Sequence, residues 1–145
     1  MSVTLAPPTH ALTRADLDAW GAAFGAALCA PAVVALSGDL GAGKTTLAQA
    51  ICRGYGVEVA VTSPTYTLVH EYAAPRSAVL HVDLYRLEGD AALDSIGIDE
   101  VLAAPAVVLV EWAERARDRL PPHAVHLALA HVEGEPALRR VREGR

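Results

Sequence analysis

Short apolar runs recur along the chain and are separated by segments with helical patterning. Three of these runs close on a glycine or carry an acidic residue near their end, and they cover residues 32–36, 78–84 and 106–110. Largely continuous apolar runs of this length are typical of strands buried on both faces of a parallel sheet. The pattern therefore predicts several buried strands with helices between them.

Helix-start and helix-stop signals occupy the segments around these runs. The first helix begins after Thr13, where Asp16 at the third helical position favours a reciprocal cap of the N-terminus. Glycine closes a second predicted helix, and another glycine interrupts a third. The predicted helices cover residues 13–29, 45–54 with Gly54 at the end, and 91–102 with the interruption at Gly97.

The remaining segments predict less regular elements. Residues 2–5 are expected to form a short edge strand, and residues 57–68 a strand or an extended loop around Pro64. Residues 125–129 predict a late strand, followed by another at the sheet edge. Strands that alternate with helices predict an α/β fold of three layers with a largely parallel central sheet, in one domain of residues 1–145.

Composition narrows the function classes. Hydrophobic residues make up 52% of the 145 residues, a share typical of globular domains rather than disordered chains. No apolar run approaches the ~20 residues of a membrane-spanning helix, and the N-terminus does not resemble a secretory signal. We therefore expect a cytoplasmic protein without a membrane partner, in which Cys29 and Cys52 are two buried thiols.

The charge balance bears on nucleic-acid binding. The formal net charge is −5, whereas proteins that grip nucleic acid by their own surface usually carry a basic patch. Direct binding of tRNA or DNA is therefore disfavoured as the main activity.

A glycine-rich segment follows the first predicted strand and opens the second helix. It matches the P-loop pattern GxxxxGK[ST], in which backbone N–H groups and a helix N-terminus surround phosphates. We expect Lys44 to bridge the β- and γ-phosphates as an exposed group, and the Thr45 hydroxyl to bind Mg²⁺. The predicted nucleotide-binding residues are Gly38, Asp39, Leu40, Gly41, Ala42, Gly43, Lys44, Thr45 and Thr46.

Two acidic residues stand near the ends of apolar runs. Glu111 follows four apolar residues, which is the plainest form of the Walker B pattern, and Asp83 follows a less uniform run. In parallel sheets, the carboxyl ends of strands face the crevice where ligands bind. Both residues are therefore candidates for the acid on the magnesium side, and the pattern does not decide between them.

Four motifs together resemble the bacterial TsaE family, formerly called YjeE. They occur in family order and at family-like spacing, and the resemblance runs from about residue 3 to the C-terminus. The motifs are residues 38–46 (GDLGAGKTT), 62–68 (TSPTYTL), 81–87 (HVDLYRL) and 111–112 (EW).

The resemblance implies an ATPase that is weak alone and uses ATP and Mg²⁺. It implies action with TsaD- and TsaB-type proteins in forming threonylcarbamoyladenosine at position 37 of tRNAs. ATP hydrolysis would reset that complex between turnovers, and the partners would hold the tRNA. The implied catalytic residues are Lys44, Asp83 and Glu111, with Thr45 and Glu111 on the metal and Thr65 as a switch that senses the γ-phosphate.

Two other functions stay open at this point. One is a small-molecule kinase, although only Arg53, Arg76 and Arg86 lie between Lys44 and Val110 to build the arginine-rich lid that such kinases use. The other is a binding module in which ATP sets the affinity for a partner and turnover is incidental.

Overall fold

The computed structural model describes residues 5–64 and 68–144. Within these residues, six strands form a single sheet, flanked by helices. The strands are β1 (Ala32–Ser37), β2 (Val69–Tyr72), β3 (Val79–Asp83), β4 (Val107–Glu111), β5 (Val125–Val132) and β6 (Glu135–Gly144). The helices are α1 (Arg14–Ala27), α2 (Lys44–Tyr55), α3 (Gly89–Ser95) and α4 (Ile98–Leu102), and a segment of 3₁₀ turns covers Ala113–Arg119.

The sheet has the strand order β2-β3-β4-β1-β5-β6. Its four central strands are parallel, and both edge strands, β2 and β6, pair antiparallel with their neighbours. The largely parallel α/β sheet predicted from the apolar runs is therefore confirmed. Because β1 lies inside the sheet, the loop that follows it opens at the centre of the sheet's carboxyl edge.

Side-chain alternation along the strands divides the interior into two cores. On β1, Val34 and Leu36 join the core under α1 and α2, whereas Val33 and Ala35 join the core under α3, α4 and the 3₁₀ turns. Successive residues of a strand point to opposite faces of the sheet, so each face carries its own helical layer. The predicted three-layer arrangement is confirmed.

Helices α1 and α2 touch through their backbones. The predicted cap is present, since Thr13 and Asp16 exchange both hydrogen bonds at the start of α1. A Cβ atom added to Gly54 would lie 1.9 Å from the carbonyl oxygen of Ala22. Gly54 therefore serves this close approach, and the prediction that it ends α2 is wrong. The helix ends at Tyr55 and is capped by Gly56, whose φ of 109° lies in the left-handed region that favours glycine.

Other expectations meet mixed outcomes. Residues 57–64 form no strand, whereas four residues with two polar side chains form the edge strand β2, which the apolar pattern missed. The break at Gly97 is confirmed and separates α3 from α4. Of the predicted strand at residues 2–5, the first three residues lie outside the described part, and Leu5 is not in a strand.

The two cysteines differ in environment. Cys52 is buried on α2 as expected, but Cys29 is exposed, so the prediction of two buried thiols is wrong for Cys29. The helix before it ends at Ala27, two residues earlier than predicted, and Cys29 lies in the irregular segment that follows.

None of the helices in the described part of the chain has both the length and the apolar character needed to cross a membrane.

Candidate nucleotide-binding site

The loop between β1 and α2 has the backbone of a phosphate cradle. Gly38 has a φ of 143°, and a Cβ atom there would lie 2.4 Å from the carbonyl oxygen of Leu129, so the loop depends on a bare backbone at this point. Gly43 is the N-cap of α2 with a φ of 105°, and as a glycine it has no side chain that could accept from the first N–H groups of the helix. An uncapped helix N-terminus presents free N–H donors and a positive dipole end, which favour an anion.

Lys44 lies against this loop. Its Nζ donates hydrogen bonds to the carbonyl oxygens of Gly38 (2.5 Å) and Asp39 (2.9 Å) and lies 4.0 Å from the centroid of the Trp112 ring. Only 4% of Lys44 is exposed, so the expectation of an exposed lysine is wrong: the loop and the indole cover it. Burial lowers the pKa of Lys44, and nearby carboxylates, Glu114 foremost, oppose that shift.

Thr45 and Glu111, the two predicted metal ligands, are in direct contact. The Thr45 hydroxyl donates to Oε1 of Glu111 at 2.7 Å, although 66 residues separate the two positions. The contact forms because α2 starts beside the end of β4, where Glu111 points toward the α2 face of the sheet. Its other oxygen, Oε2, lies 2.6 Å from Nε2 of the buried His81 on β3.

Asp83 ends β3 directly beside Glu111 in the parallel register. Its Oδ1 accepts a hydrogen bond from the Tyr85 backbone N–H at 2.8 Å, and Oδ2 lies 3.5 Å from the Ser63 hydroxyl. Asp83 is buried. The two acids that the sequence placed near strand ends therefore meet at the same end of the cleft, with Asp83 facing the 62–64 segment.

This donor set fits a magnesium ion that arrives with a nucleotide. Within residues 5–64 and 68–144, no group of three or more His, Cys, Asp or Glu is arranged to hold a metal ion. Mg²⁺ is usually bound through one or two carboxylates together with substrate phosphates and waters. The Thr45 hydroxyl and the Glu111 carboxylate, beside a phosphate cradle and close to Asp83, match that requirement.

The cleft itself has a volume of about 380 Å³. Its rim carries two exposed apolar side chains, Leu40 on the phosphate loop and Tyr85 after β3. The Tyr85 and Trp112 rings lie 4.8 Å apart between centroids. Trp112 adopts φ 56° and ψ 42°, a left-handed conformation directly after β4, and its ring lines the cleft against Lys44.

The structure adds residues that the sequence analysis did not assign. His131 on β5 and Arg139 on β6 are cross-strand partners. Nε2 of His131 lies 3.2 Å from the Leu40 carbonyl oxygen, and the Arg139 guanidinium donates to the Gly41 carbonyl oxygen at 3.1 Å. They hold the tip of the phosphate loop from the far edge of the sheet. No sequence motif identifies His131 and Arg139, because their contacts with the phosphate loop depend on the pairing of β5 with β6.

His81 is also unassigned by the sequence analysis, although a histidine inside an otherwise apolar run was a visible signal. Of the predicted site residues, eight line one cleft, namely Leu40, Gly41, Gly43, Lys44, Thr45, Thr46, Asp83 and Glu111. Gly38, Asp39 and Ala42 belong to the same loop but do not line the cleft, and Ala42 is buried in the core. Thr65, the predicted switch residue, lies outside the residues that the structure describes.

Fold and site together define a P-loop protein, with the cradle at the end of a central parallel strand and two carboxylates beside it. The family model described as "Threonylcarbamoyl adenosine biosynthesis protein TsaE" matches residues 12–141. The chain belongs to the TsaE family.

Individual relatives agree with this assignment. The tRNA threonylcarbamoyladenosine biosynthesis protein TsaE of Haemophilus influenzae is 44% identical over 89 residues, which are 61% of this chain and 56% of the relative. The protein of that name from Treponema pallidum is 36% identical over 114 residues, 79% of this chain and 84% of the relative. In the H. influenzae, Nostoc and Bacillus subtilis relatives, the matched region spans less than two thirds of the relative's length.

A solved structure shows the same fold. The crystal structure of B. subtilis YdiB superposes with a TM-score of 0.69 at 27% sequence identity, covering 90% of this chain and 78% of YdiB.

Proposed function

We propose that this chain binds and hydrolyses ATP with Mg²⁺ as a subunit of the machinery that forms threonylcarbamoyladenosine at position 37 of tRNAs. The observation that carries the proposal is the 2.7 Å contact of Thr45 with Glu111 beside Lys44, in a chain that belongs to the TsaE family. Membership of the TsaE family supports the role in this pathway, and the contact of Thr45 with Glu111 supports ATP hydrolysis with Mg²⁺.

In this proposal, the free N–H groups at the start of α2 and the Lys44 ammonium bind the β- and γ-phosphates. Thr45 and Glu111 hold Mg²⁺, which supplies positive charge to the phosphoryl oxygens when bound. Asp83 assists on the metal side or orients the attacking water, since its Oδ1 is fixed by the Tyr85 N–H. Thr65 would sense the γ-phosphate, as the family resemblance implies.

The proposal includes slow turnover by the isolated chain. Among the described residues that line the cleft, Lys44 is the one cation, and it is already engaged with two backbone carbonyls. An additional cation at the transferring phosphoryl group is worth roughly 10³–10⁵ in rate in P-loop enzymes. A docking partner that supplies this charge, or that orders the segment around Thr65, would therefore stimulate hydrolysis.

The partners we propose are TsaD- and TsaB-type proteins in the cytoplasm. TsaD would transfer the threonylcarbamoyl group, and hydrolysis on this chain would reset the TsaD–TsaB complex between turnovers. The net charge of −5 supports a tRNA held mainly by those partners, because phosphate contacts dominate nucleic-acid affinity.

The deciding experiment is a multiple-turnover tRNA modification assay with purified TsaD, TsaB and this chain. We expect Asp83→Ala to bind ATP in calorimetry but to fail in the assay, whereas Asp118→Ala, an exposed carboxylate on the 3₁₀ turns, should behave as wild type. Full multiple-turnover modification without this chain, or with Asp83→Ala, would refute the proposal.

The same components separate the alternative functions. ATP hydrolysis that is rapid in isolation and indifferent to TsaD–TsaB would favour a general nucleotide hydrolase, and phosphorylation of an added small-molecule acceptor would favour a kinase. Partner binding that depends on ATP, with modification unaffected when hydrolysis is blocked, would favour a nucleotide-gated module.

A further inference from the structure

His81 is a fully buried polar residue inside β3. Its Nε2 lies 2.6 Å from Oε2 of Glu111, and its Nδ1 is buried with no hydrogen-bond partner among the described residues. A buried polar atom without a partner is destabilising. The imidazole therefore occupies this position at a cost that the contact with Glu111 has to offset.

Packing alone does not call for a histidine here. His81 lies opposite Leu109 in the parallel register. The neighbouring inward residues on the same face, Val79, Val107 and Leu109, are all apolar and buried. A leucine at position 81 would satisfy the pattern of that core without an unpaired nitrogen. The one feature that distinguishes the position is its distance to the Glu111 carboxylate.

The hydrogen-bond chemistry fixes which nitrogen carries the hydrogen. A carboxylate accepts hydrogen bonds and has none to give, so Nε2 of His81 must be the donor to Oε2 of Glu111. In the neutral ring, Nδ1 then carries no hydrogen and can only accept a hydrogen bond. This tautomer leaves one acceptor without a partner at Nδ1, and it buries no unpaired N–H.

Glu111 is consequently held at both oxygens, by Thr45 at Oε1 and by His81 at Oε2. We infer that His81 is a positioning residue, whose Nε2–H fixes the Glu111 carboxylate so that Oε1 stays at Thr45 on the phosphate side of the cleft. Partners behind a metal-binding or catalytic carboxylate act in this way by orienting it. The effect on turnover rests on the proposed function, whereas the orientation of Glu111 rests on geometry alone.

The first test uses the protein with ¹⁵N-labelled histidine and needs no nucleotide. We expect the His81 ring, assigned through His81→Gln, to show the Nε2–H tautomer in the multiple-bond ¹⁵N correlation spectrum. Glu111→Gln should shift its Nε2 resonance, whereas Glu100→Gln on α4 should not. A His81 ring that carries hydrogen on Nδ1 alone, or that ignores Glu111→Gln, would overturn the inference.

The second test compares two substitutions in steady-state ATP hydrolysis. His81→Leu removes the donor, and we expect kcat to fall by about 10- to 100-fold while the KM for ATP stays within about threefold, because the phosphate cradle is intact. His81→Gln, whose amide can place an N–H near the same point, should restore most of the loss. His126→Leu, a half-buried histidine on β5, is the matched control.

Four outcomes of these measurements are informative. Wild-type kcat in folded His81→Leu, or equal losses in His81→Leu and His81→Gln, would overturn the positioning role. If Glu111→Gln itself hydrolyses ATP normally, the proposed function of Glu111 fails while the tautomer measurement still decides the geometry. If His81→Leu does not fold, the spectrum of the wild-type protein and the kinetics of His81→Gln still test the inference.

Discussion

The two helical layers of this protein each bury an apolar core against the sheet, but their helices are joined to one another in different ways. On one face, α1 and α2 pack through backbone contact at glycines and bury a continuous apolar core. On the other face, α3 and α4 are short, and Arg119 bonds the carboxylates of three aspartates at their junction, namely Asp90, Asp94 and Asp99. These carboxylates are 63–87% exposed.

The difference matters for function because the site lies on the closely packed side. Lys44, Thr45 and Glu111 depend on where α2 starts relative to β4. Close-packed interiors transmit small displacements, whereas exposed ion pairs contribute little and are screened by salt. We therefore expect the contact between α1 and α2 to tolerate few changes and the exposed ion pairs of α3 and α4 to tolerate many.

The largest expected contrast is between the two cysteines, because Cys52 is buried on α2 and Cys29 is exposed. Burial raises the pKa of the Cys52 thiol to about 12, so the reactive thiolate is scarce at pH 8, whereas Cys29 is exposed. We expect alkylation in the native protein to label Cys29 at least about 100-fold faster than Cys52, as followed by peptide mass spectrometry. Unfolding should equalise the two; comparable native rates would mean that the α2 interior opens readily.

The next contrast replaces one carboxylate by an amide on each face of the sheet. Glu111→Gln removes the carboxylate that we propose holds Mg²⁺, and the loss of several kcal/mol of charge stabilisation would correspond to a fall in kcat of about 100-fold or more. Glu100→Gln changes the same chemistry on exposed α4 and should leave kcat unchanged. The measurement is ATP hydrolysis against magnesium concentration; normal turnover of Glu111→Gln at low magnesium would move the role to Asp83.

Stability offers a third contrast. Gly54→Ala would gain about 1 kcal/mol of helix propensity, but its Cβ would lie 1.9 Å from a backbone oxygen. The helices must separate, and we expect a net loss of about 1–3 kcal/mol in the free energy of unfolding, measured by urea denaturation. Gly144→Ala meets no atom within 4 Å and serves as control. A stabilised Gly54→Ala would show that α1 and α2 can slide apart freely.

The smallest effect on stability is expected for the ion pairs of Arg119 with Asp90, Asp94 and Asp99. Arg119→Gln should lower the thermal midpoint by less than Gly54→Ala does, because the partners are exposed. The hydrogen bond from Arg119 lowers the pKa of Asp99, so this stabilisation is present above the carboxyl's unfolded pKa of about 3.9 and is lost as pH falls through the lower folded value. Melting curves should therefore converge in strong acid and in 1 M salt.

Much of the fold and of the candidate site could be predicted from the sequence, and individual residues show why. The runs around β1, β3 and β4 predicted buried parallel strands because apolar continuity is local. The GDLGAGKTT segment and the acid that ends β4 predicted the cleft because both motifs lie at strand ends. The depth of Lys44 was not predictable, since it is covered by Trp112, which lies far along the chain.

The same reason explains the other misses. Gly54 looked like a helix end because its real partner, the Ala22 carbonyl, belongs to another helix. His131 and Arg139 reach the phosphate loop only through the β5–β6 pairing. Each of these features joins distant parts of the chain, where local pattern carries no information.

The central position of β1 has a consequence for synthesis of the chain. The strand that carries the phosphate loop pairs with β4 and β5, both of which follow much later in the sequence. Parallel pairing over such separations is slow, because the loops must close before any contact forms. As the polypeptide leaves the ribosome, the loop therefore emerges early but remains without its supporting strands until β4 and β5 arrive. During that interval the nascent apolar β1 is exposed surface that chaperones can bind.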